Sequence, residues 1–267
     1  MVTSLYQFLK QLKRTFIADN MSSQAFIAEF APTNEERLKA LHVSGILVTP
    51  YFSNSNIGFM LENKLNLVLK AESIPFAKAE KGQLIDKEYE LIRTLAINNI
   101  ITINISRSWL FKTGFQYFLN TLGLNYLDEE PITLHNCNSA IFSVSPISFD
   151  EFITSISHLS KNWVSLDLKV DNPKLIVENP STPFNMDDVF VIKDSGVDTV
   201  ISFHIDSQMM LLYKEANLNM IYLNHIDYLN ILLRKLAQTI QLDVEIPTLF
   251  LPQDSIILKT PHDYDQY

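Results

Sequence analysis

The sequence predicts an α/β fold with two similar halves, each built around a mostly parallel or mixed sheet flanked by helices. Residues 196–241 read as strand, helix, strand and helix, beginning with an apolar, β-branched run at 198–203. The order strand, loop, helix and strand occurs at 43–69 and again at 175–203. In both, the second strand leads into a loop that carries a carboxylate or an imidazole, namely Glu72 in the first and His204 and Asp206 in the second. Connections this short favour parallel neighbouring strands with right-handed crossovers, so two related α/β halves are expected.

The segment 125–147 is expected to join the two halves, because it combines loops with a short strand. The predicted N-terminal half is therefore 1–125, and the predicted C-terminal half is 126–267. The sequence leaves open whether these halves fold independently or interlock.

Periodicity and end signals place the elements of the first half. Apolar residues recur on one helical face over 4–16, which indicates an amphipathic helix, whereas 18–36 is polar and irregular. Gly123 is placed to end a helix over 112–122. The other predicted elements are strands at 43–48, 65–69 and 99–105 and helices at 57–63 and 86–96.

The second half shows the same signals more strongly. Asp206 and Asp227 are expected to cap two helices, and the helix after Asp227 has the 3.6-residue apolar period of a core-facing face. The loop Asn224-His225-Ile226-Asp227 follows a predicted strand, the position where α/β proteins usually bind ligands. The other predicted elements are strands at 175–178, 198–203, 219–223 and 246–251 and helices at 148–159 and 185–194.

Composition excludes several function classes. The net charge of −9 argues against binding to nucleic acid or to an anionic membrane surface, both of which need basic groups. No glycine-rich phosphate motif occurs, and no apolar stretch approaches the roughly 20 residues of a membrane span. Cys137 is the single cysteine, which excludes an intramolecular disulfide and favours the reducing cytoplasm.

Several segments resemble one known family. Gly196-Val197-Asp198, Asn217 to Ile221 and Asn224-His225 are similar to its patterns G-A-D-x-x-I-T-G-(D/E) and G-x-N-x-I-x-x-G-H-Y-x-x-E. Leu67–Phe76 and Ile101–Leu110 resemble its elements L-I-x-x-H-H-P-L-I-F and H-T-x-x-D in spacing. The family is that of the NGG-interacting-factor-3-like dinuclear-metal-centre proteins, whose bacterial members are often labelled GTP cyclohydrolase I type 2 homologues.

The resemblance implies an α/β scaffold, a toroidal hexamer and two metal ions held by histidine and carboxylate ligands. Residue by residue, the positions that the family uses around its metal centre correspond here to Ala71, Glu72, Ser106, Arg107, Leu110, Gln208, His225 and Leu229. Only Glu72 and His225 keep a metal donor at a ligand position. Alkyl groups at 71, 110 and 229 donate nothing to a metal, and one catalytic zinc ion usually needs three protein ligands.

We therefore expect a divergent member that has lost its dinuclear centre and acts as a non-catalytic assembly or small-molecule-binding protein, without a cofactor. The first alternative is a metal-dependent hydrolase, similar to GTP cyclohydrolase I type 2, with a rebuilt mononuclear site using Glu72, His225 and Asp227. In that case a residual divalent metal would bind. The second alternative is an unrelated α/β domain. For Arg107, an anion-binding role and an ordinary surface position both stay open.

Overall fold

A computed structural model describes residues 3–16, 25–72, 86–127, 130–144, 149–159, 164–165, 173–204 and 206–254. The chain divides into two compact units. The first unit is built from described residues of Met1–Phe115 and Leu232–Gln253, and the second from those of Gln116–Ile231 and Asp254–Tyr267. The first unit thus includes a second, later segment of the chain, because helix α10 (His225–Val244) begins in the second unit and ends in the first.

The fold alternates helices and short strands along the chain. The helices of the described residues are α1 (Leu5–Phe16), α2 (Glu35–Ala40), α3 (Asn54–Glu62), α4 (Asp86–Ile97), α5 (Arg107–Phe111), α6 (Thr113–Thr121), α7 (Phe149–Leu159), α8 (Met186–Asp194), α9 (Ser207–Glu215) and α10. The strands are β1 (Thr3–Ser4), β2 (Phe26–Phe30), β3 (His42–Val43), β4 (Ile46–Thr49), β5 (Leu67–Lys70), β6 (Ile101–Ile105), β7 (Asn125–Tyr126), β8 (Ile132–Thr133), β9 (Asn138–Ser139), β10 (Ile141–Ser143), β11 (Val164–Ser165), β12 (Lys174–Val177), β13 (Thr199–Ser202), β14 (Asn219–Tyr222) and β15 (Thr248–Phe250).

The main sheet of the first unit has the strand order β15-β4-β5-β6-β2 in its described part. Strands β15, β4, β5 and β6 are parallel, and β2 closes one edge in antiparallel pairing with β6. Every residue of β4 and β5 is buried, as expected for central parallel strands covered on both faces. One core cluster of this unit packs apolar residues of these strands, such as Leu47 and Val68, against Met60 of α3 and Leu95 of α4.

The second unit has a mixed sheet with the described order β11-β14-β13-β12-β10-β7. Its centre is parallel, because β12 pairs in parallel with β13 and β13 with β14. Its core packs β12–β14 against α8 and α9 through residues such as Val200, Met220 and Val189. The first unit therefore contains four neighbouring parallel strands and the second contains three, and the predicted α/β class with parallel or mixed sheets flanked by helices is confirmed.

Two local predictions are wrong. Residues 18–36 were expected to be irregular, yet the described part contains β2 and the start of α2. Strand β2 contains the short apolar run Phe26-Ile27-Ala28, but it is an edge strand in which only Phe26 is buried, unlike the fully buried central strands. Asp227 is not the cap of α10, because the helix begins at His225 and the Asn224 side chain accepts a hydrogen bond from the Ile226 amide at 2.9 Å.

Several residues begin or end helices as the sequence predicts. Asp206 caps α9 by accepting hydrogen bonds from the amides of Gln208 and Met209 at 2.9 and 2.8 Å. Gly123 has a φ of +69°, the left-handed conformation that ends α6. The periodic apolar residues of α10 are all buried: Leu229, Leu232, Leu233, Leu236, Ala237 and Ile240. None of the helices in the described part of the chain combines the length and apolarity that a bilayer crossing requires.

Candidate functional site

A buried lysine dominates the carboxyl edge of the parallel strands in the first unit. Lys70 is the last residue of β5, and its side chain is 0% exposed. Its ammonium lies 2.5 Å from Oε2 of Glu29 on β2 and donates to the Glu72 carbonyl at 3.0 Å. Burial lowers the pKa of Lys70, while the hydrogen bond and charge of Glu29 oppose that shift. This edge therefore carries a cation that is held by a carboxylate.

The first-unit positions singled out by the family resemblance supply few metal donors. Ala71 is buried and Leu110 is fully buried, so neither presents a polar atom. The Ser106 hydroxyl caps α5 by accepting from the Trp109 amide at 3.2 Å. Glu72 retains its carboxylate, and Oε2 lies 3.8 Å from a guanidinium nitrogen of Arg107. Because the Arg107 side chain is 76% exposed, this ion pair is a surface contact of small energetic value.

The second-unit positions supply one imidazole. His225 opens α10 and is half-buried, and its ring centroid lies 6.2 Å from that of Tyr228. Leu229, one helical turn further on, is fully buried. Gln208 is exposed in the first turn of α9. Glu72 and His225 thus belong to different units, and their meeting in one cleft stays a prediction.

The residues present do not fit the dinuclear centre that the resemblance implies. Three of the mapped ligand positions carry alkyl side chains, and the one mapped carboxylate, Glu72, lies beside Arg107. Positive charge at that distance disfavours a metal cation. Among the described residues, no group of three or more His, Cys, Asp or Glu side chains gathers in a way that could hold a metal ion.

The corresponding edge of the second unit carries a buried carboxylate instead. Glu178 follows β12 directly and is 1% exposed. Its carboxylate accepts hydrogen bonds from the Phe184 amide at 2.8 Å, the Ser202 hydroxyl at 2.6 Å, and the amides of Phe203 and His204 at 2.6 and 3.1 Å. All four partners donate, which suits an ionised carboxylate, because that form only accepts hydrogen bonds.

His204 connects this carboxylate to the surface. Its Nδ1 lies 3.5 Å from Oε1 of Glu178, and nearly half of its side chain is exposed. The hydrogen bond to Glu178 raises the pKa of His204, with partial burial acting against it. A hydrogen bond from one ring nitrogen to a buried carboxylate fixes the orientation of the histidine ring.

A pocket of about 430 Å³ opens beside His204. Its lining residues are Pro183, Phe184, Phe203, His204, Asp206, Met209 and Tyr222. Phe184, Phe203 and Met209 are buried, whereas His204 and Asp206 are exposed, so an apolar interior lies below a polar rim. The pocket follows the carboxyl ends of β13 and β14, the usual ligand position in open α/β sheets.

Sequence reasoning noted His204 and Asp206 as loop residues after a strand, but it missed Lys70, Glu29, Glu178 and Tyr222. Lys70 and Glu178 each stand directly at the end of an apolar strand, where a charged side chain is unusual. A charged residue at the end of an apolar strand was therefore the sequence signal that could have identified Lys70 and Glu178. Their partners could not be found in the same way, because Glu29 lies on the strand that the sequence did not predict.

Comparison with known proteins supports the fold. No family model matches the sequence, and no curated protein matches it either. Among solved structures, reduced HcgD from Methanocaldococcus jannaschii superposes with a TM-score of 0.67 at 14% identity, over 95% of this chain and 99% of that one. A Bacillus cereus protein related to NIF3 gives a TM-score of 0.65 at 8% identity, over 97% of this chain and 100% of that one.

A NIF3 superfamily protein from Sphaerobacter thermophilus gives a TM-score of 0.56 at 12% identity, over 94% of this chain and 99% of that one. The chain has the NIF3-like fold. NIF3 stands for the NGG-interacting factor 3 of the sequence resemblance, so the predicted scaffold is confirmed, and the alternative of an unrelated α/β fold is wrong. Identities of 8–14% show the fold alone, so activity must be argued from the residues of this chain.

Proposed function

We propose that the chain is a divergent NIF3-like protein without the dinuclear metal centre, and that it acts as a non-catalytic assembly or small-molecule-binding protein. The chemistry of the mapped positions carries this proposal. Ala71, Leu110 and Leu229 are buried alkyl side chains where metal ligands would be needed. A two-metal site requires bridging carboxylates that offset the repulsion between the ions, and Glu72 is the one carboxylate left among the mapped positions.

The charges around Glu72 support the same proposal. Its carbonyl accepts a hydrogen bond from the Lys70 ammonium, and its carboxylate contacts the Arg107 guanidinium. Two protein cations therefore occupy the surroundings in which a metal ion would have to be stabilised. Loss of the metal would leave a scaffold that binds or assembles rather than one that activates water.

The alternative is a hydrolase similar to GTP cyclohydrolase I type 2 with a mononuclear site on Glu72, His225 and Asp227. His225 and Asp227 lie two residues apart in the first turn of α10. Side chains at that spacing do not face each other on a helix, which makes joint binding of one ion geometrically poor. The buried position of Asp227 also limits its reach.

Metal content separates the two proposals. Untagged protein is dialysed against EDTA, incubated with manganese or zinc, freed of excess metal and measured by plasma mass spectrometry. We expect well below one ion per chain. Two ions per chain would overturn the proposal. One ion per chain that is lost in both Glu72→Gln and His225→Gln would establish the mononuclear alternative.

The assembly part of the proposal concerns a homo-oligomer, which the family resemblance implies to be a hexamer in the cytoplasm. Light scattering coupled to size-exclusion chromatography measures it directly. A hexamer would have a mass of about 184 kDa, six times the chain mass of 30.6 kDa. A monomer at micromolar concentration would contradict the assembly role and leave the binding role to be tested by itself.

A further inference from the structure

The pocket of the second unit offers a formed place for a ligand that none of the mapped metal positions lines. Its volume of about 430 Å³ lies in the range of small-molecule sites, about 300–1,000 Å³. It stands at the carboxyl ends of parallel strands, and Glu178 fixes one of its polar groups, His204, from below. Buried charge holding a surface imidazole beside a pocket is typical of a prepared binding site.

The pocket interior suits a flat ring. Phe184, Phe203 and Met209 supply buried apolar surface. The Phe203 ring is held from behind, because its centroid lies 5.6 Å from that of Phe118 and 5.3 Å from that of Tyr228. Aromatic side chains fixed in this way favour stacked or edge-on contact with an aromatic ligand.

The polar rim disfavours an anion. Asp206 is the acidic residue of the described lining, no lysine or arginine is among the described lining residues, and Glu178 offsets any positive charge on His204. The amino end of α9 would normally attract an anion. Here the Asp206 carboxylate already accepts from the amides of Gln208 and Met209, so those donors are occupied.

The remaining rim groups accept hydrogen bonds from a ligand. These are the Asp206 carboxylate and the Tyr222 phenol oxygen. We propose that this pocket binds a planar aromatic or heteroaromatic molecule that carries an amino, amidine or other cationic donor group. The inference deepens the proposed binding function and rests on it, because it names the site and the chemical class of the ligand.

Benzamidine and benzoate test the inference as a matched pair, since they share a ring and differ in charge. Binding to the full chain is measured by saturation-transfer NMR and calorimetry. We expect one benzamidine per chain with a dissociation constant on the order of 1 mM, reasonable for so small a ligand. Benzoate should bind at least about tenfold more weakly, because its carboxylate meets Asp206. Equal binding of both compounds would overturn the inference.

Variants locate the site. Asp206→Asn removes the charge but keeps a good helix cap, so the fold should persist while benzamidine binding weakens about tenfold. Asp187→Asn, on an exposed residue of the first turn of α8, removes one charge from the same unit outside the pocket and should leave binding within about twofold. Equal losses in both variants would show non-specific attraction and overturn the site.

A second pocket variant keeps the test valid if Asp206→Asn fails to fold. Tyr222→Phe keeps the ring and removes the phenol oxygen, so it should weaken benzamidine severalfold without weakening benzoate. Unchanged benzamidine binding in both Asp206→Asn and Tyr222→Phe would overturn the assignment to this pocket. Metal analysis tests the proposed function separately. If the chain binds neither metal nor benzamidine, the proposed loss of the metal centre stands and the inference about this pocket is wrong.

Discussion

The two units place opposite buried charges at the carboxyl ends of their parallel strands. In the first unit, the ammonium of Lys70 ends the central strand β5 and is held by Glu29. In the second unit, the carboxylate of Glu178 follows β12 and is held by backbone amides, Ser202 and His204. Similar strand arrangements therefore carry buried charges of opposite sign, because the side chain at the strand end differs.

The two charges also differ in how they are stabilised. Lys70 depends on one carboxylate and one carbonyl, whereas Glu178 accepts four hydrogen bonds. Backbone amides are fixed by the fold and lose little entropy when they bind a carboxylate. The carboxylate of Glu178 should therefore be the more rigidly held group, and substitutions at the two edges should differ in cost.

The largest effect is expected for Glu178→Gln. The amide that replaces the carboxylate has one acceptor oxygen and one NH₂ group, and the NH₂ group would face hydrogen-bond donors such as the Phe203 amide. We expect the free energy of unfolding to fall by about 3 kcal/mol in urea denaturation. Glu215→Gln on the exposed end of α9 is the matched control and should cost less than about 0.5 kcal/mol. Similar losses in both variants would show that Glu178 is not a structural centre of its unit.

A smaller loss is expected for Glu29→Gln in the first unit. The change leaves the fully buried Lys70 ammonium without its closest carboxylate. We expect a cost of about 2 kcal/mol, below the roughly 3–5 kcal/mol of a fully buried pair, because the Glu29 side of the pair is 17% exposed. Lys70→Met should cost less, because Glu29 is 17% exposed and can turn to solvent once the ammonium is gone. Glu62→Gln on the exposed end of α3 is the control in the same assay. The reverse order of the Glu29 and Lys70 variants would contradict the assignment of Lys70 as the buried member of the pair.

This contrast also shows what the sequence could and could not predict. The central strands were predicted because β-branched runs such as Thr199–Ser202 carry their own signal. The last long helix was predicted from its apolar period, which the buried Leu229 and Leu233 confirm. Strand β2 was missed because an edge strand needs only one apolar face, and its pairing with β6 depends on residues far along the chain.

The residues of the candidate site likewise divide into those that the sequence indicated and those that it did not. Asp206 and His204 were noted because they sit in a loop directly after a predicted strand. Glu178 was assigned to a strand end without a role, since its donors come from the loop before α8 and from the end of β13. A sequence pattern reports spacing along one element, whereas these contacts form only when separate elements fold against one another.

A gain in stability is expected for Tyr213→Phe in the second unit. The Tyr213 side chain on α9 is fully buried, and no described residue hydrogen-bonds its hydroxyl. Removing a buried, unsatisfied hydroxyl while keeping the ring should raise the free energy of unfolding by about 1 kcal/mol. Tyr126→Phe, whose exposed hydroxyl contacts Gln116, is the control and should change stability little. A loss of stability in Tyr213→Phe would mean that the hydroxyl has a favourable interaction.

The smallest effect is a pH dependence that belongs to the second unit. The hydrogen bond to Glu178 raises the pKa of His204 above its usual value of 6.5. The folded state therefore binds the proton more tightly than the unfolded state, so the stabilisation is complete below about pH 6.5 and is lost as pH rises through the folded pKa. The difference in unfolding free energy between the wild type and His204→Gln should shrink between pH 6 and pH 8.5. The same comparison in a Glu178→Gln background should show a weaker trend, because the raising partner is gone. An undiminished trend there would assign the pH dependence to another group.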